Sequence, residues 1–111
     1  MFFFGRKKKD VKDPSSKQYK WQMAEMISGK HIRYVAERKN NEEIVIGRNG
    51  SVGIKDECVI VNTDTHIAFR ARIEDTVISE LLSKNGAILT GPDMTQGGEE
   101  RTVVIFYVYH R

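Results

Sequence analysis

The acidic, histidine and cysteine side chains of this 111-residue chain are where chemistry would first be sought. The three histidines, His31, His66 and His110, lie on separate segments, and none has a second ligand at a spacing typical of metal sites. Asp64 and His66 are two residues apart across a predicted turn, which favours a turn-capping carboxylate beside a surface histidine. The alternative is an unfamiliar catalytic site that adds Asp75. We expect no metal, no cofactor and no enzymatic activity.

Motifs that bind phosphate or supply a nucleophile do not occur in the sequence. The glycine-rich segment 47–53 lies between two predicted strands and opens no helix, so hairpin chemistry explains it. Cys58 is the only cysteine, which excludes an intrachain disulfide and favours a reducing, cytoplasmic compartment. Its neighbours Val59 and Ile60 predict a small, buried side chain at this position.

A basic row on one predicted strand is the candidate anion site. His66, Arg70 and Arg72 alternate along it, and arginines in a row can hold phosphates bidentately. The alternative is ion pairing across strands, and the acidic residues available are Glu37, Glu43 and Glu74. Together with Tyr34, Tyr107 and Tyr109, the row would also suit a small RNA-binding protein.

The net positive charge is concentrated in the N-terminal part of the chain, which begins with a leader at residues 1–13. Residues 1–20 contain seven Lys or Arg and two Asp, a net charge of +5, whereas residues 21–111 carry −2. A folded part that is slightly acidic makes nucleic acid the less favoured partner. The leader is too short and wrongly ordered for a signal peptide or a membrane span.

The leader resembles a peripheral membrane anchor in its residue types. Its membrane-contact candidates are Phe2, Phe3, Phe4, Arg6, Lys7, Lys8 and Lys9. Each buried Phe contributes at most roughly 1.5–3 kcal/mol and each basic residue near anionic lipid about 1 kcal/mol, enough for reversible attachment. The alternative is a disordered tail whose phenylalanines pack on the domain or on a partner.

One helix is predicted at residues 14–28, with Asp13 as N-cap, Pro14 at the first position and Gly29 after the end. Its predicted core face consists of Tyr19, Met23, Met26 and Ile27. Trp21 falls nearly opposite that face. It is either covered by a loop or strand or exposed as a partner contact.

Valine and isoleucine number 21 against three leucines, which favours a sheet. From His31 the apolar period changes to two, and we expect five short strands between residues 31 and 73 in an antiparallel meander that forms a curled sheet or partly open barrel. The predicted turns are Asn40-Asn41, Asn49-Gly50, Asp56-Glu57 and Asp64-Thr65.

The C-terminal part is less regular in sequence. Residues 75–84 are expected to form a short helix or irregular turn rather than a strand leading into a hairpin at Asn85-Gly86. After a strand at Ala87–Thr90, residues 91–100 are predicted to be the longest flexible loop. Thr102–Tyr109 is apolar at nearly every position, which predicts a strand covered on both faces that is central or crosses from one side of the core to the other.

Residues 44–90 resemble the pleckstrin-homology-like domains found in bacteria. The residues that carry the resemblance are Gly50–Asp56, Cys58–Val61 and His66–Ile73 with the acidic pair Glu74-Asp75. The resemblance implies a barrel-like sheet in which the N-terminal helix takes the place of that fold's C-terminal helix. The whole chain, including Arg101-Thr102 before the last strand, is similar to short uncharacterised proteins of Gram-positive anaerobic bacteria, which implies no particular activity.

The sequence therefore predicts a cytoplasmic, mainly β domain at residues 14–111 that acts as a non-enzymatic binding or adaptor module. Its expected partners are an unidentified protein or the anionic inner surface of the membrane. The exposed edges of a short meander are also compatible with a homodimer.

Overall fold

A computed structural model describes residues 16–108, which contain one α-helix and seven β-strands. The helix, α1, spans Lys17–Ile27. The strands are β1 (His31–Lys39), β2 (Glu42–Lys55), β3 (Cys58–Asn62), β4 (Ile67–Arg72), β5 (Val77–Glu80), β6 (Gly86–Asp93) and β7 (Glu99–Tyr107). Short 3₁₀ turns at Ile73–Asp75 and Met94–Gln96 connect β4 to β5 and β6 to β7.

All seven strands belong to one antiparallel sheet in the order β4-β3-β2-β1-β7-β6-β5. The sheet is curled but not closed, with β4 and β5 as its outer strands and α1 packed against β2, β5 and the first 3₁₀ turn. Phe69 is the largest fully buried side chain of the core. The prediction of a mainly β, antiparallel curled sheet with one helix packed on it is confirmed.

Strand β7 lies between β1 and β6, as its continuous apolar sequence predicted. Val103 and Ile105 are fully buried in the core, and Val104, which points to the other face, is only 1% exposed. A strand with both faces covered selects β-branched residues at successive positions because neither face meets water.

The helix begins three residues later than predicted. Ser16 is the N-cap: its Oγ accepts a hydrogen bond from the Tyr19 backbone N–H at 3.0 Å. Asp13, the predicted cap, lies outside the described residues. Gly29 follows the helix with φ +88°, as expected for a residue that ends a helix in the left-handed region.

The buried face of α1 also differs from the prediction. Ala24 and Ile27 are fully buried, whereas Met26, predicted for the core, is 40% exposed. Trp21 is half-buried and packs against the core together with Met23, so the first alternative for Trp21, a covered side chain, describes its position. Its role as a partner contact stays a prediction.

The predicted hairpin at Asn49-Gly50 is wrong, and β2 runs through it as a single 14-residue strand. The first part of β2 pairs with β1 and the last part, from Ser51, pairs with β3. A Cβ at Gly50 would lie 1.7 Å from the backbone oxygen of Asn62, so this glycine allows two backbones to approach closely. The turns at Asn40-Asn41 and Asp56-Glu57 are confirmed by positive φ at all four residues.

Two expectations for the C-terminal part are also wrong. Residues 77–80 form β5, which pairs with β6, so the strand alternative for residues 75–84 is the correct one beyond the 3₁₀ turn. Half of the predicted loop at 91–100 extends the β6–β7 hairpin, in which Gly91, Pro92 and Asp93 pair with residues of β7, and only residues 94–98 connect the two strands. Strand pairing decided both segments, because their local sequence signals are weak: residues 77–80 pair with β6, and residues 91–93 pair with β7.

Candidate functional site

The residues proposed for an unfamiliar catalytic site are not assembled. Asp64 and His66 precede β4, whereas Asp75 follows it, so a six-residue strand of about 20 Å separates them. The exposed His66 ring lies 3.2 Å from Thr63 Oγ1 and 2.8 Å from Thr65 Oγ1 through Nδ1. Within residues 16–108, no three metal-ligating side chains come together.

The three residues of the basic row, His66, Arg70 and Arg72, have different surroundings in the structure. Arg72 forms long ion pairs with Glu57 at 3.5 Å and Glu74 at 3.8 Å, so one of the acidic partners considered for the row, Glu74, does contact it. Arg70 forms no ion pair within the described chain, and its Nε is buried without a hydrogen-bond acceptor. His66 lies in the loop before the strand. Anion binding by these three side chains stays a prediction.

A buried ionic cluster that the sequence did not reveal lies where β6 and β7 meet. Arg101 Nη1 donates to Asp93 Oδ2 at 2.6 Å and to the Ala68 carbonyl at 3.2 Å, and its Nε and Nη2 donate to Glu37. Asp93 is fully buried, and the Arg101 side chain is 11% exposed. Hydrogen bonding to Arg101 lowers the pKa of Glu37, and Glu37 in turn raises the pKa of Arg101.

Asp93 also connects two strands that do not pair. Its Oδ1 accepts hydrogen bonds from the backbone N–H of Arg70 in β4 and from the N–H and hydroxyl of Thr95. The carboxylate therefore satisfies a backbone N–H on the outer edge of β4, where the curled sheet is not closed. The hydrogen bonds of Arg101 and Asp93 therefore cross-link β1, β4, β6 and β7.

The outer edge of the first part of β2, residues Glu42–Ile46, is unpaired; we call it the β2 edge. Lys39 and Glu42 flank a two-residue turn and therefore form a hydrogen-bonded pair. Hydrogen-bonded and non-hydrogen-bonded pairs alternate along an antiparallel ladder, so the backbone N–H and C=O groups of Glu42 and Ile44 point to β1. The backbone groups of Glu43 and Val45 point away from the sheet. Ile44 is 56% exposed and Val45 is 43% exposed.

The β2 edge ends where the β3–β4 loop begins to cover the strand. Asp64 N–H donates to the Arg48 carbonyl at 3.0 Å, and a Cβ at Gly47 would lie 2.3 Å from Thr63 Cγ2. The open segment therefore offers about five residues of strand to a partner. The sequence signal was the run Ile44-Val45-Ile46: three successive β-branched residues cannot all face one side of a strand that has a single covered face.

An apolar row on the outer face of the sheet continues inward from the β2 edge. The ladder register places side by side, across β2, β1, β7 and β6, the residues Val45, Ala36, Val104 and Ile88. Next to this row the rings of Tyr34 and Phe106 stack with centroids 4.6 Å apart. Val45 is the exposed end of the row, so a strand added at the β2 edge would extend an existing apolar surface.

Tyr107, one of the aromatics considered for RNA stacking, is 8% exposed on the core side of the sheet. Burial, with a smaller contribution from Glu80, raises the pKa of its hydroxyl to about 12. The hydroxyl is buried without a hydrogen-bond partner within the described residues. Tyr109, the C-terminal residue of the same trio, and the leader candidates Phe2–Phe4 and Arg6–Lys9 lie outside the described residues.

Comparison of the chain with family models, with curated proteins and with solved structures gave no match. Within residues 16–108 there is no helix with the length and apolar character needed to cross a bilayer.

Proposed function

We propose that this chain is a non-enzymatic binding or adaptor module that pairs an extended segment of a partner with the β2 edge. The observation that carries the proposal is the combination of outward backbone groups at Glu43 and Val45 with exposed β-branched side chains at Ile44 and Val45. Strand addition uses both features, since backbone hydrogen bonds supply affinity and alternate side chains supply specificity.

The contrast with β4 strengthens this proposal. At β4 the outward N–H of Arg70 is satisfied by the buried carboxylate of Asp93 at 3.1 Å. Natural proteins protect exposed edges with lysine, proline, bulges or a covering element, because an unpaired strand recruits other chains. On the β2 edge a register shift leaves Ile46 as a bulge, but Ile44 and Val45 before it carry no lysine, proline or covering element.

A labelled peptide with the sequence Lys-Thr-Val-Thr-Val-Thr-Lys tests the edge, since its lysines complement Glu42 and Glu43. Val45→Pro removes an N–H that points away from β1, so it blocks the edge without removing a hydrogen bond of the sheet. We expect fluorescence anisotropy to detect binding to the unmodified protein and to Val45→Thr, and a loss of roughly tenfold or more with Val45→Pro. Equal binding by both variants would contradict the proposal.

The second part of the proposal is reversible attachment to the inner membrane surface through the leader. It is supported by the net charge of +5 in residues 1–20 against −2 in the remainder, next to Phe2–Phe4. Each basic residue near an anionic surface contributes about 1 kcal/mol, and the phenylalanines supply apolar contact at the interface. Cytoplasmic location follows from this proposal.

Co-sedimentation with vesicles tests the leader. The full chain is compared with a variant in which Phe2, Phe3 and Phe4 are serine, using phosphatidylglycerol–phosphatidylcholine vesicles and pure phosphatidylcholine vesicles. We expect the full chain to pellet only with the anionic vesicles and the variant to remain mostly in the supernatant. Equal pelleting of the two proteins would remove the membrane part and leave the edge proposal standing.

RNA binding is the second candidate function, and the stacked pair Tyr34–Phe106 on the outer face is the observation that favours it. Aromatic side chains on a sheet can stack with unpaired bases. This candidate predicts salt-dependent binding of single-stranded RNA that falls when Arg70 and Arg72 become alanine. Absence of binding at low salt would exclude it.

A further inference from the structure

We propose that the strand that pairs with the β2 edge is the same edge of a second copy of this chain, related by a two-fold axis through Ile44. The inference rests on the proposed function, in which this edge is the binding surface, and it identifies the partner. Two-fold symmetry requires self-complementary surfaces, so the pairing register is the property that decides whether the edge can serve both copies.

Backbone geometry limits the symmetric registers to three. Only residues whose backbone groups point outward can form a hydrogen-bonded pair across the interface, and on this edge these are Glu43 and Val45. Glu43 can therefore face Glu43 of the second copy, Val45 can face Val45, or Glu43 can face Val45 in both directions.

Charge and sterics exclude two of these registers. Pairing of Glu43 with Glu43 places like charges directly opposite each other, which destabilises a strand pair. Pairing of Val45 with Val45 places Glu43 opposite Gly47, where the β3–β4 loop already occupies the edge through Thr63 and the hydrogen bond to Arg48. The remaining register pairs Glu43 with Val45 of the second copy and needs only residues 42–46, the segment that is open.

In this register the two exposed apolar residues become covered. Ile44 faces Ile44 of the second copy at the axis, as a β-branched pair of the kind that stabilises neighbouring strands. Val45 lies beside the methylene groups of Glu43 of the second copy, while Arg38 of that copy remains bonded to Glu43 at 2.6 Å. Arg38 therefore partly offsets the charge that Glu43 brings beside Val45.

The interface is small, so the dimer is expected to be weak and concentration-dependent. The assembly nevertheless carries two N-terminal leaders. Two weak attachments on one particle give an avidity that exceeds either alone, so dimerisation would strengthen the membrane attachment proposed for one leader.

Disulfide trapping tests the register in the full-length protein. Ile44 occupies a non-hydrogen-bonded pair, for which the Cα atoms of opposed residues are about 4.5 Å apart, within the range that a disulfide can bridge. Two copies of residue 43, or two copies of residue 45, are offset by two positions and lie about 8 Å apart, which a disulfide cannot bridge without backbone movement. Native Cys58 is buried and stays in all variants.

We expect Ile44→Cys to form a covalent dimer under mild oxidation roughly tenfold or more faster than Glu43→Cys or Val45→Cys. Similar rates for all three would mean random collision and would overturn the inference. Sedimentation equilibrium of the unmodified chain gives a second measurement that does not depend on a cysteine variant. A monomer at all concentrations up to about 1 mM would also overturn it. In that case, edge-specific binding of the probe peptide would leave the proposed function intact.

Discussion

Replacement of Arg101 by methionine is the most informative perturbation of the fold, because this side chain is the common partner of two carboxylates. The change removes the 2.6 Å bond from Nη1 to Asp93 Oδ2 and the two bonds to Glu37. Methionine preserves much of the aliphatic volume, so the variant isolates the loss of charge and hydrogen bonds from the creation of a cavity.

The magnitude follows from what remains around Asp93. Oδ1 keeps three donors, from Arg70 N, Thr95 N and Thr95 Oγ1, whereas Oδ2 loses the Arg101 donor in a fully buried position. Removal of one partner of a buried pair typically costs roughly 3–5 kcal/mol, and because Oδ1 keeps its donors we expect a loss of about 3 kcal/mol. Glu37 adds little, because its side chain is 24% exposed and can be hydrated.

Urea unfolding monitored by circular dichroism measures this loss. We expect the midpoint to fall with an unchanged m-value, and the melting temperature to fall by roughly 12–24 °C, from about 4–8 °C per kcal/mol for a domain of this size. The double variant Arg101→Met, Asp93→Asn removes the uncompensated charge, so it should recover part of the stability lost in the single variant.

Two results would refute this reasoning. A loss below about 1 kcal/mol for Arg101→Met would mean that the cluster behaves as an exposed ion pair. A double variant that is less stable than Arg101→Met would mean that the buried charge of Asp93 does not destabilise the single variant. Glu37→Gln is the matched control on the exposed side of the cluster, and it should cost much less than Arg101→Met.

Three further predictions concern single side chains. Tyr107→Phe should leave stability at neutral pH unchanged or higher, because the hydroxyl is buried without a partner. Because the folded pKa of Tyr107 is raised to about 12 from 10.0, the unmodified protein should lose more stability than Tyr107→Phe as the pH rises from 10 to 12 in pH-dependent denaturation. Gly50→Ala should destabilise by about 3 kcal/mol or more in thermal melts, because its Cβ would meet the Asn62 carbonyl, whereas Gly53→Ala, with nothing within 4 Å, should be neutral or stabilising. Because the folded pKa of Glu37 lies below 4.5, its contribution is present above pH 4.5 and lost as pH falls through the folded pKa, so Glu37→Gln should show a smaller acid-induced loss of stability than unmodified protein.

The candidate binding surface could be predicted only in part. The run Ile44-Val45-Ile46 predicts that at least one β-branched side chain lies on the exposed face of the strand. The Asn40-Asn41 turn determines which backbone groups point to β1. That the other side of this segment is open follows from the register of β3, which pairs only from Ser51 onward. A register between strands depends on the packing of the whole sheet, so no local pattern contains it.

The features that could be predicted from residue types are those that local physical chemistry controls. The abundance of valine and isoleucine predicted the sheet, the doubly apolar segment predicted the central position of β7, and paired residues that tolerate positive φ predicted the turns at Asn40-Asn41 and Asp56-Glu57. In each case the residue type and its immediate neighbours are sufficient, because the preference arises from the backbone and the adjacent side chains.

The tertiary structure alone decided the rest. Asn49-Gly50 has the composition of a hairpin turn but lies inside β2, because the glycine is needed where the Asn62 backbone crosses it. Asp93, expected in a flexible loop, is the buried centre of an ionic cluster because β4 curls back to the end of β6. The absence of enzymatic activity stays a prediction. Contacts between residues distant in the chain determine the positions of both Gly50 and Asp93, which is why no local pattern contains them.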